Sequence, residues 1–242
     1  MPRHAGPGGC RSRDDAECLS PLIVADQDRW LPYLHLATPR IFPRGHTIIQ
    51  QGAFVSGVYH LTHGRVQYAI LSPDGRLKVV ALLEPGNVIG DGPTIIGRPC
   101  AFTVTAVTEC EVHFFPAKVF HEILENDPAI IKSVCHSLAR KLRALASQVS
   151  ELTFLDARTR VARLIDTFSS QRAVMVDDRG HMLLDLDFTH TDIGHITGND
   201  RVTVTKALGD LEDLGCIEVG KRSIRIRDKT SLARLAAPGR LY

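Results

Sequence analysis

The chain has 242 residues, 44% of them hydrophobic, and its 29 Lys and Arg against 27 Asp and Glu give a formal net charge of +2. That size allows two hydrophobic cores of ordinary domain size and hardly a third. The near-neutral charge by itself neither indicates nor excludes a nucleic-acid partner. Apolar runs fall short of the about eighteen residues of a membrane span, and the N-terminus lacks the apolar stretch of a secretory signal. We therefore expect a cytoplasmic protein with no membrane partner.

The six cysteines contain no CxxC pair and no close zinc-like spacing. This pattern favours neither a structural zinc nor a disulfide framework. Reduced thiols are the expectation, and no metal site is predicted from spacing.

The residue composition of the N-terminal part changes after a short leader. Residues 1–20 are rich in Gly, Pro, Arg and Asp without an apolar period, which predicts a flexible leader that exposes Cys10 and Cys18. Short β-branched runs follow between Ile41 and Phe115, each closed by Gly, Pro or Asp, and Pro73–Gly75 has the composition of a hairpin turn. The pattern predicts an all-β roll or barrel, to which we assign residues 21–126.

From Pro128 onward apolar residues recur every three or four positions, which predicts one long helix over residues 127–153. The apolar stripe consists of Ile131, Val134, Leu138, Leu142, Leu145, Val149 and Leu152. It is narrow and about three heptads long, which favours packing against an identical helix of a second chain. The alternative is an amphipathic helix that lies on its own sheet.

Two short helices around a glycine are predicted next. Thr189 and Asp192 have the spacing of a capping box, and Gly198 can take the positive φ of a tight turn. Asp200 is the natural N-cap of the second helix and Gly215 its natural end. The buried stripe of this second helix is expected to be Val204, Leu208 and Leu211. The pattern is that of a helix-turn-helix.

The second helix is followed by two alternating segments, 216–219 and 223–227, joined by Gly220, Lys221 and Arg222. This predicts a β-hairpin with a basic turn, and two cations at a turn suit phosphate oxygens. We assign residues 154–242 to a winged helix-turn-helix. The expected fold class is α+β: a double-stranded, jelly-roll-like β-roll, a long dimerisation helix and a C-terminal winged helix-turn-helix.

The segments Asp192–Gly198 and Arg201–Leu208 resemble the signature of the Crp/Fnr transcription regulators. The resemblance extends to the roll glycines, Pro85–Gly90, the long helix and the hinge-like Phe154–Asp156, leaving out only the leader. It implies a cyclic-nucleotide-binding-type roll, a parallel homodimer, and activation when an effector reorients the DNA-binding domains. Palindromic duplex DNA and RNA polymerase are the partners that it implies.

The family reads bases from the N-terminal part of the second helix in the major groove. The matching residues here are Arg201, Val202, Thr203, Thr205 and Lys206. A frequent Glu of the family is replaced by Val202, which has no hydrogen bond to give and would best contact a thymine methyl group. The alternative is that Val202 packs within the protein and does not contact DNA. We expect a palindromic, relatively A·T-rich operator, with Lys221 and Arg222 on phosphates.

The family's cyclic-nucleotide site uses an acid for the ribose and an Arg-Ser pair for the phosphate. Gly90 and Asp91 match the acidic segment, but Cys100 and Ala101 stand where the Arg and Ser would be. A buried phosphate would lack its cation, so cyclic AMP is not expected. The helix-side wall is expected to be apolar, formed by Leu138, Leu142 and Leu145. These residues predict a small apolar or aromatic effector.

Other modes of control remain open. Cys10 or Cys18 could pair with a cysteine such as Cys216 in a thiol switch. Iron-sulfur or haem sensing has weaker support, since the close N-terminal cysteine triplet and a defined axial histidine are missing. An effector-independent DNA binder is a further alternative, and a cyclic-nucleotide-binding module without DNA a distant one. No enzymatic activity is expected, because the sequence has no nucleophile triad or phosphate-gripping Gly loop.

Overall fold

The computed structural model describes residues 21–25, 29–177, 180–185, 188–221 and 223–237. Cys10, Cys18 and Arg222 lie outside these ranges. The N-terminal part is built from two β-sheets, as the fold class predicts. Strands β1 (Leu22–Ile23), β3 (Thr47–Ile49), β5 (Val66–Leu71), β6 (Leu77–Leu83) and β8 (Thr103–Ala106) form one sheet, in the order β1-β6-β5-β8-β3. Strands β2 (Thr38–Phe42), β4 (Gly57–His63), β7 (Val88–Ile89) and β9 (Cys110–Pro116) form the other, in the order β2-β9-β4-β7.

The two sheets enclose the core of the roll, which includes Leu61, Leu83, Ile89 and Val112. The hairpin between β5 and β6 turns at Gly75, with φ +84°, where the Ser72 and Arg76 backbones pair at 2.9 Å. A one-and-a-half-turn helix, α1 (Asp91–Ile96), follows β7, and a 3₁₀ turn covers Leu31–Leu36.

Helix α2 (Ala117–Asn126) leads into the long helix α3 (Pro128–Phe154). Asp127 caps α3, since its carboxylate accepts from the Ala129 N–H at 2.8 Å, and Pro128 occupies the first turn, where an amide is not needed. None of the helices within the described ranges is long and apolar enough to cross a membrane.

The C-terminal part contains α4 (Ala157–Arg172), α5 (His190–Thr197), α6 (Arg201–Asp213) and α7 (Lys229–Ala236). Its small sheet has the order β10-β11-β13-β12, made of β10 (Val174–Met175), β11 (Met182–Asp185), β12 (Ile217–Val219) and β13 (Ser223–Ile226). The predicted helix-turn-helix is α5, the Gly198 turn and α6, and the predicted hairpin is β12 and β13. The buried cluster of this part also includes Val79 and Leu82 of the roll, so the two parts share a packed boundary.

Candidate functional site

The N-terminal part of α6 presents an exposed polar face. The Asp200 carboxylate accepts from the Thr203 N–H at 2.7 Å and so starts the helix, while Val204, Leu208 and Leu211 anchor the opposite side in the core. The residues turned outward are Arg201, Val202, Thr205 and Lys206, and Thr203 is half-buried. Val202 is 78% exposed, so it does not pack within the chain.

The start of α5 lies beside this face. Its capping box is present, because Thr189 and Asp192 exchange side-chain and backbone hydrogen bonds, as the sequence predicts. His190 Nδ1 lies 3.0 Å from Thr205 Oγ1, and that hydroxyl donates to the Arg201 carbonyl at 2.9 Å. The sequence prediction did not include His190 among the residues of this face. The available signal was its place directly after the capping residue Thr189, at the first residue of α5.

A groove of about 440 Å³ separates the helix-turn-helix from the β12–β13 hairpin. Its polar and basic lining residues are Thr189, His190, Thr191, Arg201, Lys221 and Ser223. None of the described residues that line it is acidic. The groove therefore offers hydroxyl and cationic donors to an anionic surface, which suits phosphate oxygens.

The predicted apolar stripe of α3 divides into two faces. Val134 is 4% exposed and packs with the roll residues Trp30 and Phe115, and Leu138 packs partly against the same cluster. Leu145 is half-buried against the other roll cluster. The outward face is formed by Ile131, Leu142, Val149 and Leu152, exposed by 43–67%, and Leu152 also lies next to the turn at Gly198. Val134, Leu138 and Leu145 thus pack on their own domain, as the alternative predicts, and packing against a second chain stays a prediction for the exposed residues.

Asp91 has an internal partner at the predicted effector position. The Lys141 ammonium lies 2.7 Å from each carboxylate oxygen of Asp91 and donates to the Val88 carbonyl at 2.8 Å. The two side chains are only 13% and 3% exposed. Lys141 was not among the predicted site residues, and no signal in the sequence joined it to Asp91.

The other predicted effector residues differ in their burial. Gly90 takes φ +83°, and its N–H donates to the Tyr68 hydroxyl at 3.4 Å. Burial raises the pKa of Tyr68 well above its ordinary value and also raises the pKa of the Cys100 thiol. Cys100 is buried, Ala101 is exposed, and Leu142 faces outward rather than toward Asp91. The acid of the site is therefore balanced by a lysine of α3, and its neighbours are a neutral phenol and a neutral thiol.

A second buried charged cluster lies where α3, the roll and α5 meet. Lys78 of β6 donates to the Gln148 side chain and to the Ile196 carbonyl. Burial lowers the pKa of Lys78 to about 8. Burial also raises the pKa of the nearby Glu151, whose carboxylate pairs with Arg163 at 3.3 Å.

Cys216 is 1% exposed, and burial, followed by the nearby Asp228, raises the pKa of its thiol. A raised pKa disfavours the reactive thiolate at neutral pH. The described ranges contain no group of three His, Cys, Asp or Glu side chains placed to hold a metal ion.

Comparison with known proteins agrees with this arrangement. The cyclic nucleotide-binding domain model matches residues 39–127, and the Crp-like helix-turn-helix domain model matches residues 159–235. A CRP-like cAMP-activated global transcriptional regulator of Mycobacterium tuberculosis (strain ATCC 25618 / H37Rv) is 29% identical over 202 residues, covering 82% of this chain and 88% of the relative.

Two solved structures show the same fold. A CooA mutant from Carboxydothermus hydrogenoformans has a TM-score of 0.74 at 20% identity, over 88% of this chain and 93% of that one. CprK complexed with OCPA has a TM-score of 0.70 at 21% identity, over 88% of this chain and 99% of that one. A cyclic-nucleotide-binding-type roll joined to a Crp-like helix-turn-helix defines a DNA-binding transcription regulator. The chain belongs to the Crp/Fnr family.

Proposed function

We propose that this regulator acts as a homodimer on a palindromic, relatively A·T-rich operator. The exposed outer face of α6, beside a groove that offers cations and hydroxyls, carries the proposal. Arg201 and Lys206 can donate to guanine O6 and N7 or to phosphates. The Thr205 hydroxyl can likewise donate to a base or to a phosphate. Exposed Val202 has no hydrogen bond to give and suits a thymine methyl group. Thr203 is half-buried and is assigned a supporting contact only.

Replacing Arg201 and Lys221 separately should have different effects on DNA binding. Arg201→Ala is expected to weaken operator binding by roughly 1–3 kcal/mol and to relax base choice, because a base-reading donor is lost. Lys221→Ala should weaken operator and random duplexes alike and lower the salt dependence of binding, because it removes a phosphate contact. Fluorescence anisotropy against an operator selected from a random duplex library measures both. Equal losses on operator and random DNA for Arg201→Ala would reject the base-reading role.

We further propose that a small apolar or aromatic effector, other than cyclic AMP, controls DNA binding. The pocket is assigned to Gly90, Asp91, Cys100, Ala101, Leu138 and Leu145; Leu142 was part of the sequence prediction but faces outward. The Lys141 ammonium engages both Asp91 oxygens, so a ribose would have to compete with an ion pair inside the roll. Cys100 and Ala101 offer no cation to a cyclic phosphate.

Native mass spectrometry of protein purified from its own host tests this control. A dimer that carries a small organic adduct is the expected result, and calorimetry with cyclic AMP should show no binding at millimolar concentration. A bare dimer that loses only proton mass on oxidation would favour a thiol switch through Cys10, Cys18 or Cys216. A bare dimer unchanged by oxidation would favour effector-independent DNA binding. An iron-containing adduct would favour haem or an iron-sulfur cluster.

Transcription control also implies a second partner and a place of action. We propose that the DNA-bound dimer contacts RNA polymerase and that it works in the cytoplasm, where the operator DNA and the polymerase meet. A promoter-bound complex should retain polymerase in a supershift assay only when the operator is intact.

A further inference from the structure

The turn that joins the two helices of the helix-turn-helix is held from outside by basic side chains. Lys78, at the start of β6 in the roll, donates to the Ile196 carbonyl, the last carbonyl but one of α5. Arg160 of α4 donates to the Thr197 carbonyl at 2.8 Å and to the Asn199 side chain at 2.6 Å. The carbonyls at the end of α5 thus receive charged donors from two different elements, which also matches the negative end of the helix dipole.

The same turn is in close contact with the end of α3. Gly198 takes φ +70°, and a Cβ at this position would lie 2.7 Å from Leu152 Cδ2 and 4.0 Å from the Lys78 side chain. Lys78 also donates to Gln148 of α3. The Lys78 ammonium therefore joins three elements at one point: the roll, the long helix and the turn that precedes α6.

An apolar residue would fill this position at a lower desolvation cost than an ammonium. Burying a charged group is unfavourable unless it is paired and hydrogen-bonded, and such groups are kept in some proteins because they fix one arrangement among several. Here the charge is opposed by the Glu151 carboxylate and is near the Arg160 guanidinium. Its two hydrogen-bond acceptors are the Gln148 side chain of α3 and the Ile196 carbonyl of α5. These two helices must keep one relative position if α6 is to meet DNA in a constant orientation.

We propose that Lys78 is a positioning residue for DNA recognition, which fixes the turn before the reading helix to the sensing roll. This proposal rests on the proposed reading of DNA by α6. Through Lys78, a shift of the β5–β6 hairpin or of the end of α3 moves the Ile196 carbonyl directly. The contact gives the roll a polar link to the turn before the reading helix, in addition to the apolar boundary around Val79 and Leu82.

Hydrogen exchange of the full-length protein tests the contact itself. Lys78→Met keeps the length of the side chain and removes the ammonium, so amides 197–199 should exchange about tenfold faster. Lys78→Arg, which keeps a charged donor, should restore most of the protection. Lys118→Met is the control, because Lys118 belongs to the same roll but is 87% exposed. If Lys78→Met fails to fold, Lys78→Gln, which is polar but shorter, takes its place. Unchanged exchange at 197–199 would overturn the proposal.

Operator binding then decides whether Lys78 positions the reading helix for DNA or only stabilises the turn. Lys78→Met should weaken operator binding about tenfold while leaving random-duplex binding unchanged, because the phosphate-facing residues remain in place. Lys78→Arg should recover operator binding. Unchanged or tighter operator binding by Lys78→Met would overturn the proposal even if exchange increases. If the wild-type protein selects no operator at all, the proposed function fails, and the exchange data still decide whether Lys78 holds the turn.

Discussion

Replacement of Lys141 by methionine is expected to lower the free energy of unfolding by roughly 3–5 kcal/mol, the usual result of leaving a buried charge without its partner. Asp91 is 2% exposed, and both of its oxygens accept from Lys141. Methionine fills the same space but offers no charge, so the carboxylate would remain in the roll with its strongest donor removed. The Val88 carbonyl would lose a donor as well. Chemical denaturation monitored by the single tryptophan, which is buried in the roll, measures the loss.

Two further variants decide whether this loss belongs to the ion pair. Arg143→Met removes an exposed cation from the same helix and should change stability by less than about 0.5 kcal/mol. Adding Asp91→Asn to Lys141→Met should return part of the loss, because the uncompensated charge is then gone and the two substitutions are coupled. Additive losses from Asp91→Asn and Lys141→Met would show that the two side chains stabilise the roll independently.

The helix-turn-helix was predictable because its signals are local. A capping box at Thr189, an aspartate before α6 and glycines at the two helix ends each determine the conformation of a few neighbouring residues. Gly198 and Gly215 do take positive φ, and Asp200 does cap α6. Family resemblance then added the role of the outer face of α6, which local signals alone do not assign.

The buried contacts of Lys141 and Lys78 were not predictable, because they join residues that are distant in the chain. Lys141 and Asp91 are separated by 50 positions, and Lys78 and Ile196 by 118. Lys141 precedes Leu142 of the apolar stripe, but helical periodicity cannot show that the Lys141 side of α3 faces the roll. Which lysine meets which acceptor depends on how α3 crosses the roll, and that depends on packing across the whole domain.

Periodicity also could not divide the stripe of α3. Apolar residues three and four apart occur equally where a helix meets its own domain and where it meets a second chain. Val134 and Leu142 both fit the stripe, yet Val134 is 4% exposed and Leu142 is 67% exposed. Only the position of the roll against α3 separates the residues that are already covered from those that remain available to a partner.

That division predicts where a dimer can be broken without damage to the fold. Leu142→Glu together with Val149→Glu should raise the dimer dissociation constant at least about 100-fold, because a two-fold interface would bury four carboxylates in an apolar seam. Both side chains are more than 60% exposed in the single chain, so the stability of the monomer should change little. Sedimentation velocity over a concentration series measures the association.

Lys132→Glu with Arg143→Glu is the matched control, since both residues are exposed on α3 about 100° around the helix from Leu142 and Val149. The control variant changes the net charge more than the test variant does. A dimer that persists in the control variant and dissociates in the test variant is therefore held together by apolar contact. The monomeric variant should still bind a single half-site weakly and lose the extra affinity of the palindrome. A test variant that stays dimeric would place the interface elsewhere, and the palindromic operator would then need a different geometric explanation.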